Sequence, residues 1–224
     1  MRARVDHLIV AASDLDEGAA WCEATLGVVP APGGEHAFMG THNRLLRIAT
    51  VDYPRAYFEI IAVQPGRQPQ GGRRWFDLDD EGLRDRLRRS GPRLVHFVAS
   101  VPDVRQAVAA WQALGLERGE VVTASRMTPR GVLQWQITIR PDGQRLFDGT
   151  LPTLIEWGGT HPAAALPECG IALQAVEVTH PQAPLLRAAW DAVALDGVAV
   201  KEGPAALCAM LATPRGRVRL SSAA

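Results

Sequence analysis

The sequence predicts an α+β protein built on a duplicated strand-helix-sheet unit, and three observations predict it. Two stretches read alike, Asp6-His7-Leu8-Ile9-Val10 and Val95-His96-Phe97-Val98-Ala99. Each is followed by an acidic residue, Asp14 or Asp103, that opens a helical pattern carrying Trp21 or Trp111 and ending at Leu26-Gly27 or Leu114-Gly115. Each unit then closes on an apolar strand holding one carboxylate, Tyr57-Phe58-Glu59-Ile60-Ile61 or Leu154-Ile155-Glu156-Trp157. The histidines stand 96 − 7 = 89 residues apart, the length of a small module plus a linker.

Taken in order, Val5 to Val10 is a short apolar run rich in isoleucine and valine, which predicts a buried strand. Ser13, Asp14 and Asp16 offer an N-cap and first-turn acids for the next helix, and Gly27 stops it. Pro30 to Gly34 reads as loop; Arg44 to Thr50 and Tyr57 to Val63 read as strands. This first module spans 1–64. A connector, 65–93, carries the alternating charges of a solvated helix over Asp77 to Arg89, with Leu78, Leu83 and Leu87 turned inward. The second module, 94–162, repeats strand, helix from Asp103 to Leu114, and strands near Val121, over Val132 to Ile139 and over Thr153 to Trp157. The remainder, 163–224, has the shape of a partial third copy without its chemistry: a strand at Leu173 to Val178, a helical run at Leu185 to Leu195, and closing strands with a turn at Pro214-Arg215-Gly216.

Composition narrows the function. Of 224 residues, 47% are hydrophobic and 21% charged, as in ordinary globular domains, and the formal net charge is zero. No overall field favours nucleic acid or an anionic membrane, so neither is expected as a partner. Cys22, Cys169 and Cys208 share no CxxC spacing and predict no disulfide framework. No apolar run predicts a signal peptide or membrane span, which makes the cytoplasm the expected location. Phosphate-loop, dinucleotide and nucleophile-elbow motifs are missing from the sequence.

The repeated histidines and glutamates carry the chemistry. Strand alternation sets His7 on one face with Val5 and Ile9, and Glu59 with Tyr57 and Ile61. A buried carboxylate needs a cation, a proton or a metal. Two imidazoles and two carboxylates, His7, Glu59, His96 and Glu156, would together satisfy one divalent ion such as zinc, nickel, manganese or iron. His36 and His42 cluster in a glycine-containing segment that can face a cavity, and His161 follows Glu156 closely enough to rim it. His180, beside Pro181, is expected to be exposed.

Asp6-His7-Leu8-Ile9-Val10, Gly40-Thr41-His42-Asn43, Tyr57-Phe58-Glu59-Ile60-Ile61, Arg74-Trp75-Phe76 and Leu154-Ile155-Glu156-Trp157-Gly158 resemble, in this order, the glyoxalase-like proteins of the vicinal oxygen chelate superfamily. The resemblance covers about residues 4 to 162 and implies paired βαβββ modules whose sheets curve around a cavity, with an additional C-terminal α/β segment packed on that core. It implies a metal site at His7, Glu59, His96 and Glu156, at which a small oxygenated substrate is chelated and an enediolate stabilised. A lyase or isomerase follows as the expected activity, with Glu156 moving a proton. His36, His42, Asn43 and Trp157 are the expected substrate contacts. The resemblance also admits a metal-free small-molecule binder, and it leaves a homodimer open. An extradiol dioxygenase is disfavoured, because Val132 to Ile137 supplies no middle histidine in the second module; only His7, His42 and Glu59 would offer an iron triad.

Overall fold

The computed structural model describes residues 2–128 and 131–223; Met1, Pro129, Arg130 and Ala224, and with them the outer limits 1 and 224 of the expected modules, lie outside that description. The first module contains β1 (Arg4–Ala11), α1 (Leu15–Leu26), β2 (Ala31–His36), β3 (Thr41–Arg47) and β4 (Tyr57–Val63). After α2 (Glu81–Ser90) come β5 (Arg93–Ser100), α3 (Val104–Gln112), β6 (Glu120–Thr128), β7 (Gly131–Ile139) and β8 (Thr153–Trp157). The C-terminal part holds β9 (Ala172–Thr179), α4 (Ala183–Val193), β10 (Val198–Lys201), β11 (Ala206–Thr213) and β12 (Gly216–Ser221).

Strands β1 to β8 form one curved sheet in the order β2-β3-β4-β1-β5-β8-β7-β6. The order is symmetric about the antiparallel β1–β5 pair, as duplication requires. Within each half the first strand runs parallel to the last, β1 with β4 and β5 with β8. Strands β9 to β12 form a second sheet in the order β10-β9-β11-β12.

Local chemistry explains several element ends. Asp14 caps α1 by accepting from the backbone N–H groups of Asp16 and Glu17, and Gly27 ends it in the left-handed region at φ 78°. The expected helix from Asp77 starts only at Glu81, because Asp77 has φ 58° and Asp80 is the cap. Pro30 to Gly34, read as loop, largely belongs to β2, an edge strand whose pairing with β3 shifts register between Pro32 and Glu35. An edge position tolerates the proline that a central strand would exclude.

The sheet has two differently packed faces. The outer one presents Leu8, Val10, Phe58, Ile60 and Phe97 to the helices and to the second sheet. Trp111 is fully buried there, and its indole N–H donates to the Ala189 carbonyl at 2.8 Å. On the inner face, Ile9, Ile61, Val98, Trp135, Ile137 and Ile155 meet Trp75, Phe76, Leu78, Leu83 and Leu87. The segment between the modules therefore plugs the cup. Arg74 on Asp79 at 2.7 Å braces it internally, and Arg145 on Asp77 at 2.8 Å anchors it to the second module.

His180 departs from expectation. It is buried, 5.2 Å from the Phe147 ring, and its Nδ1 accepts from the Gln182 N–H at 3.0 Å. Its Nε2 lies 3.7 Å from Asp148 Oδ2, just before α4 begins with Pro184 in its first turn. The three cysteines are free. Among the described residues no helix is long and apolar enough to cross a membrane.

Candidate active site

The site begins at a bulge. Val5 pairs with Ala99 and His7 with Val98, so Asp6 is an extra residue in β1. A bulge suspends strand alternation and re-aims a side chain. Asp6 is consequently fully buried beside His7, where its Oδ1 lies 2.7 Å from His7 Nδ1. Its Oδ2 accepts from the Trp157 indole at 3.0 Å and lies 3.1 Å from His161 Nε2. Because His161 Nδ1 accepts from the Ala163 N–H, Nε2 carries the proton and donates to Asp6.

His7 reaches a second carboxylate at its other nitrogen, with Nε2 3.3 Å from Glu59 Oε2. The other oxygen, Glu59 Oε1, accepts from the Asn43 side-chain amide at 2.6 Å. Gly34 N–H donates to Asn43 Oδ1 at 2.7 Å, which fixes the amide orientation. Asn43 Nδ2 also lies 3.3 Å from His36 Nε2, while His36 Nδ1 lies 3.0 Å from the Thr41 hydroxyl. Tyr57 stacks on His7 with ring centroids 4.3 Å apart, so its phenyl face shields the imidazole from water.

These contacts set the charges. Burial by itself disfavours an imidazolium, but hydrogen bonds and the fields of Asp6 and Glu59 outweigh it and push His7 up to about 9. Burial likewise opposes ionisation of Glu59, yet His7 holds it down to about 2. Asp6 is buried too, yet the hydrogen bonds from His161 and His7 outweigh that burial and hold it ionised, below the usual carboxylate range. His36, desolvated and lacking a strong carboxylate hydrogen bond, falls to about 4 and is neutral. The result is a carboxylate–imidazolium–carboxylate array carrying one net negative charge.

The second module contributes nothing equivalent. His96 Nδ1 lies 2.8 Å from the Gly149 carbonyl, and its Nε2 accepts from the Thr153 N–H at 3.1 Å. Arg118 approaches the same nitrogen at 3.2 Å, and Phe76 lies 5.3 Å away. Burial and Arg118 hold His96 neutral, well below its ordinary pKa. Glu156 faces the helices, where its Oε2 accepts from the Val104 N–H at 2.8 Å. Its neighbours Ile155 and Trp157 are the residues that face the cup. His42 alternates away from Asn43 and does not line the cavity, so His7, His42 and Glu59 are not brought together. His36, Asn43 and Trp157 do join His7 and Glu59.

The donor set does not fit the divalent ion that the resemblance implies. His7 Nε2 and Glu59 Oε2 are near enough to share a cation, but His96 and Glu156 are committed elsewhere. Among the described residues no group of three or more histidine, cysteine, aspartate or glutamate side chains is arranged to hold a metal. Two protein ligands fall short of the three or four that a resident zinc site uses.

His7 and Glu59, with Asp6 behind His7, border a cavity of about 40 Å³ that is also lined by Trp75, Phe76 and Trp157. It adjoins an outer groove of about 930 Å³ between the two edges of the sheet, and both are lined by His36, Arg126 and Trp135. Sequence reasoning missed Asp6, Tyr57 and Arg126 as members of this site. Tyr57 had a usable signal, since it stands two residues from Glu59 on the same strand face.

Residues 5–194 match the model of the family described as glyoxalase-like domain. No curated protein matches the chain. Among solved structures, a hypothetical protein from Staphylococcus aureus superposes with a TM-score of 0.58 at 16% identity, over 92% of this chain and 88% of that one. Methylmalonyl-CoA epimerase in complex with methylmalonyl-CoA and NH4+ gives 0.44 at 19% identity, over 72% and 99%. The epimerase from Mycobacterium tuberculosis gives 0.38 at 17% identity, over 72% and 91%. With the profile spanning both modules and the C-terminal helix, the chain belongs to the glyoxalase-like domain family.

Proposed function

We propose that the protein is a proton-transfer enzyme of isomerase or lyase type acting on a small oxygenated molecule, with Glu59 as base and His7 as acid. The observation that carries this reading is the buried Asp6–His7–Glu59 array beside a cavity. A substrate carbonyl oxygen would accept from His7 Nε2–H, and Glu59 Oε2 would take a proton from the adjacent carbon. The enolate charge would then face an imidazolium in a site shielded from water. Facing that imidazolium in the resting state, Glu59 is a weak base at about 2. A substrate oxygen that takes over the Nε2 proton removes this stabilisation and raises the basicity of Glu59. Asp6 keeps the ring oriented, and Trp157 and His161 keep Asp6 in place.

The expected divalent ion has no part in this reading, because the donors it would need are spent elsewhere. Protein purified without chelator should contain well under one divalent ion per chain. Full occupancy that falls in His96→Ala would restore the metal site expected from the repeat.

The reaction is tested by solvent deuterium exchange, followed by NMR, into a panel of small hydroxyketones, oxo acids and acyl thioesters. Exchange by wild type should drop at least about 100-fold in Glu59→Gln. Unchanged exchange in that variant, or none with any member of the panel, refutes the assignment. A groove of about 930 Å³, a size suited to small-molecule ligands, favours a second reading as a binder without turnover. Ligand binding with no exchange would select it.

A further inference from the structure

Arg126 stands where the inner cavity meets the outer groove and lines both. It projects from β6, one edge of the large sheet, against Gly34 on β2, the other edge. A Cβ at residue 34 would collide with its guanidinium, so glycine there admits the arginine. Arg126 Nη1 is buried and, among the described residues, has no hydrogen-bond partner. Buried guanidinium donors are ordinarily satisfied, and an orphan marks a missing acceptor. Arg140, another cation of the groove, is already engaged by Asp142 at 2.5 and 3.0 Å and by the Glu117 carbonyl at 2.8 Å.

We propose that Arg126 binds the carboxylate of the substrate, and that the substrate is a monocarboxylate with an apolar portion lying in the outer groove. A planar guanidinium matches a carboxylate in a two-point fork. Asp6 and Glu59 carry two negative charges opposite one imidazolium close by, which disfavours a dianion such as a phosphate ester. About 40 Å³ of inner space suits a group of a few heavy atoms. Phe38, Met39, Val122, Ala124, Trp135 and Ile139 give the groove its apolar walls. This assignment names the substrate class for the reaction proposed above and rests on that site, but it is tested by binding alone.

The probes are octanoate, its uncharged isostere octanamide, and inorganic phosphate, titrated calorimetrically into wild type, Arg126→Met, Gly34→Ala and Glu59→Gln. Octanoate should bind wild type at least about tenfold more tightly than octanamide. Arg126→Met should remove that preference and leave octanamide affinity unchanged. Gly34→Ala, which displaces the guanidinium without altering it, should weaken octanoate binding in the same direction and so covers a misfolded Arg126→Met. Glu59→Gln should keep octanoate binding while losing proton exchange, which separates the anion site from the reaction. Equal affinity of wild type for octanoate and octanamide, octanoate binding that survives both Arg126→Met and Gly34→Ala, or tighter binding of phosphate than of octanoate would each overturn the proposal.

Discussion

At the scale of single residues, His7 ties the chemistry of the site to the stability of the fold. Its folded pKa of about 9 lies above the ordinary 6.5. The stabilisation from its protonation is therefore complete below pH 6.5 and disappears as the pH rises through about 9. Glu59 behaves oppositely: its folded value of about 2 lies below 4.5, so its contribution is complete above 4.5 and disappears as the pH falls through about 2. The two values share the His7–Glu59 interaction, while Asp6 contributes to that of His7 as well, so they are not to be added. On the order of 3 kcal/mol is at stake. His7→Gln should be less stable than wild type by about that much near pH 6, with the gap narrowing toward pH 9. Urea midpoints measured across that range check it, and a gap independent of pH would show that His7 is not charged. His7 and Glu59 were legible in the sequence because a strand repeats every two residues and both stand among apolar neighbours on predictable faces. Asp6 was not, since a bulge breaks the repeat on which such reasoning depends. Arg126 was hidden for a different reason, because the glycine that makes room for it is distant in the chain.

Elements show the same division between local and long-range signals. Helices α1 and α3 were readable from Asp14, Gly27 and Asp103, whose capping is written within a few residues of sequence. Strand β2 was not, because Pro32, Gly33 and Gly34 look like loop and are accommodated only by an edge that pairs irregularly. Glu156 is the instructive case. The repeat aligns it with Glu59, yet Ile155 and Trp157 occupy the inward positions of β8, and Glu156 caps the first N–H of α3 instead. Its role is therefore architectural. Glu156→Ala should cost about 1 kcal/mol of folding stability, the usual value of a helix cap, and leave deuterium exchange at the wild-type rate. Thermal unfolding and the exchange assay measure the two effects separately. Loss of exchange in a variant that stays folded would return Glu156 to the chemistry.

For the whole molecule, duplication dictated the backbone but not the site. Two modules related by an antiparallel β1–β5 pair place His7 and His96 equivalently along the chain, which made the fold legible from the repeat. The connector occurs once, however, and a single insertion cannot serve both halves alike. Its charged helix read as a solvated surface, while Trp75 and Phe76, just before that helix, enter the cup. Phe76 comes within 5.3 Å of His96, and Trp75 within 5.0 Å of His36. Phe76 and Asp77 both adopt φ 58°, an uncommon backbone state for side-chain-bearing residues that the Asp77–Arg145 pair holds in place. Trp75→Ala tests how much the plug contributes. Removing a core tryptophan ordinarily costs about 3–5 kcal/mol. The Trp75 indole N–H is buried and, among the described residues, without a partner, so truncation also relieves an unsatisfied donor and the loss should fall near the lower end of that range. The space created would join the small cavity beside His7 and Glu59, with Phe76, Trp135 and Ile137 as apolar walls. The part vacated by the indole is the apolar end, which benzene would fill, while the end at His7 and Glu59 stays polar and hydrated. The variant should accordingly melt well below wild type and recover part of the difference in benzene-saturated buffer, where wild type does not respond. If Trp75→Ala melts with wild type and ignores benzene, the cup is not held shut by this segment, and the asymmetry between the two halves needs another cause.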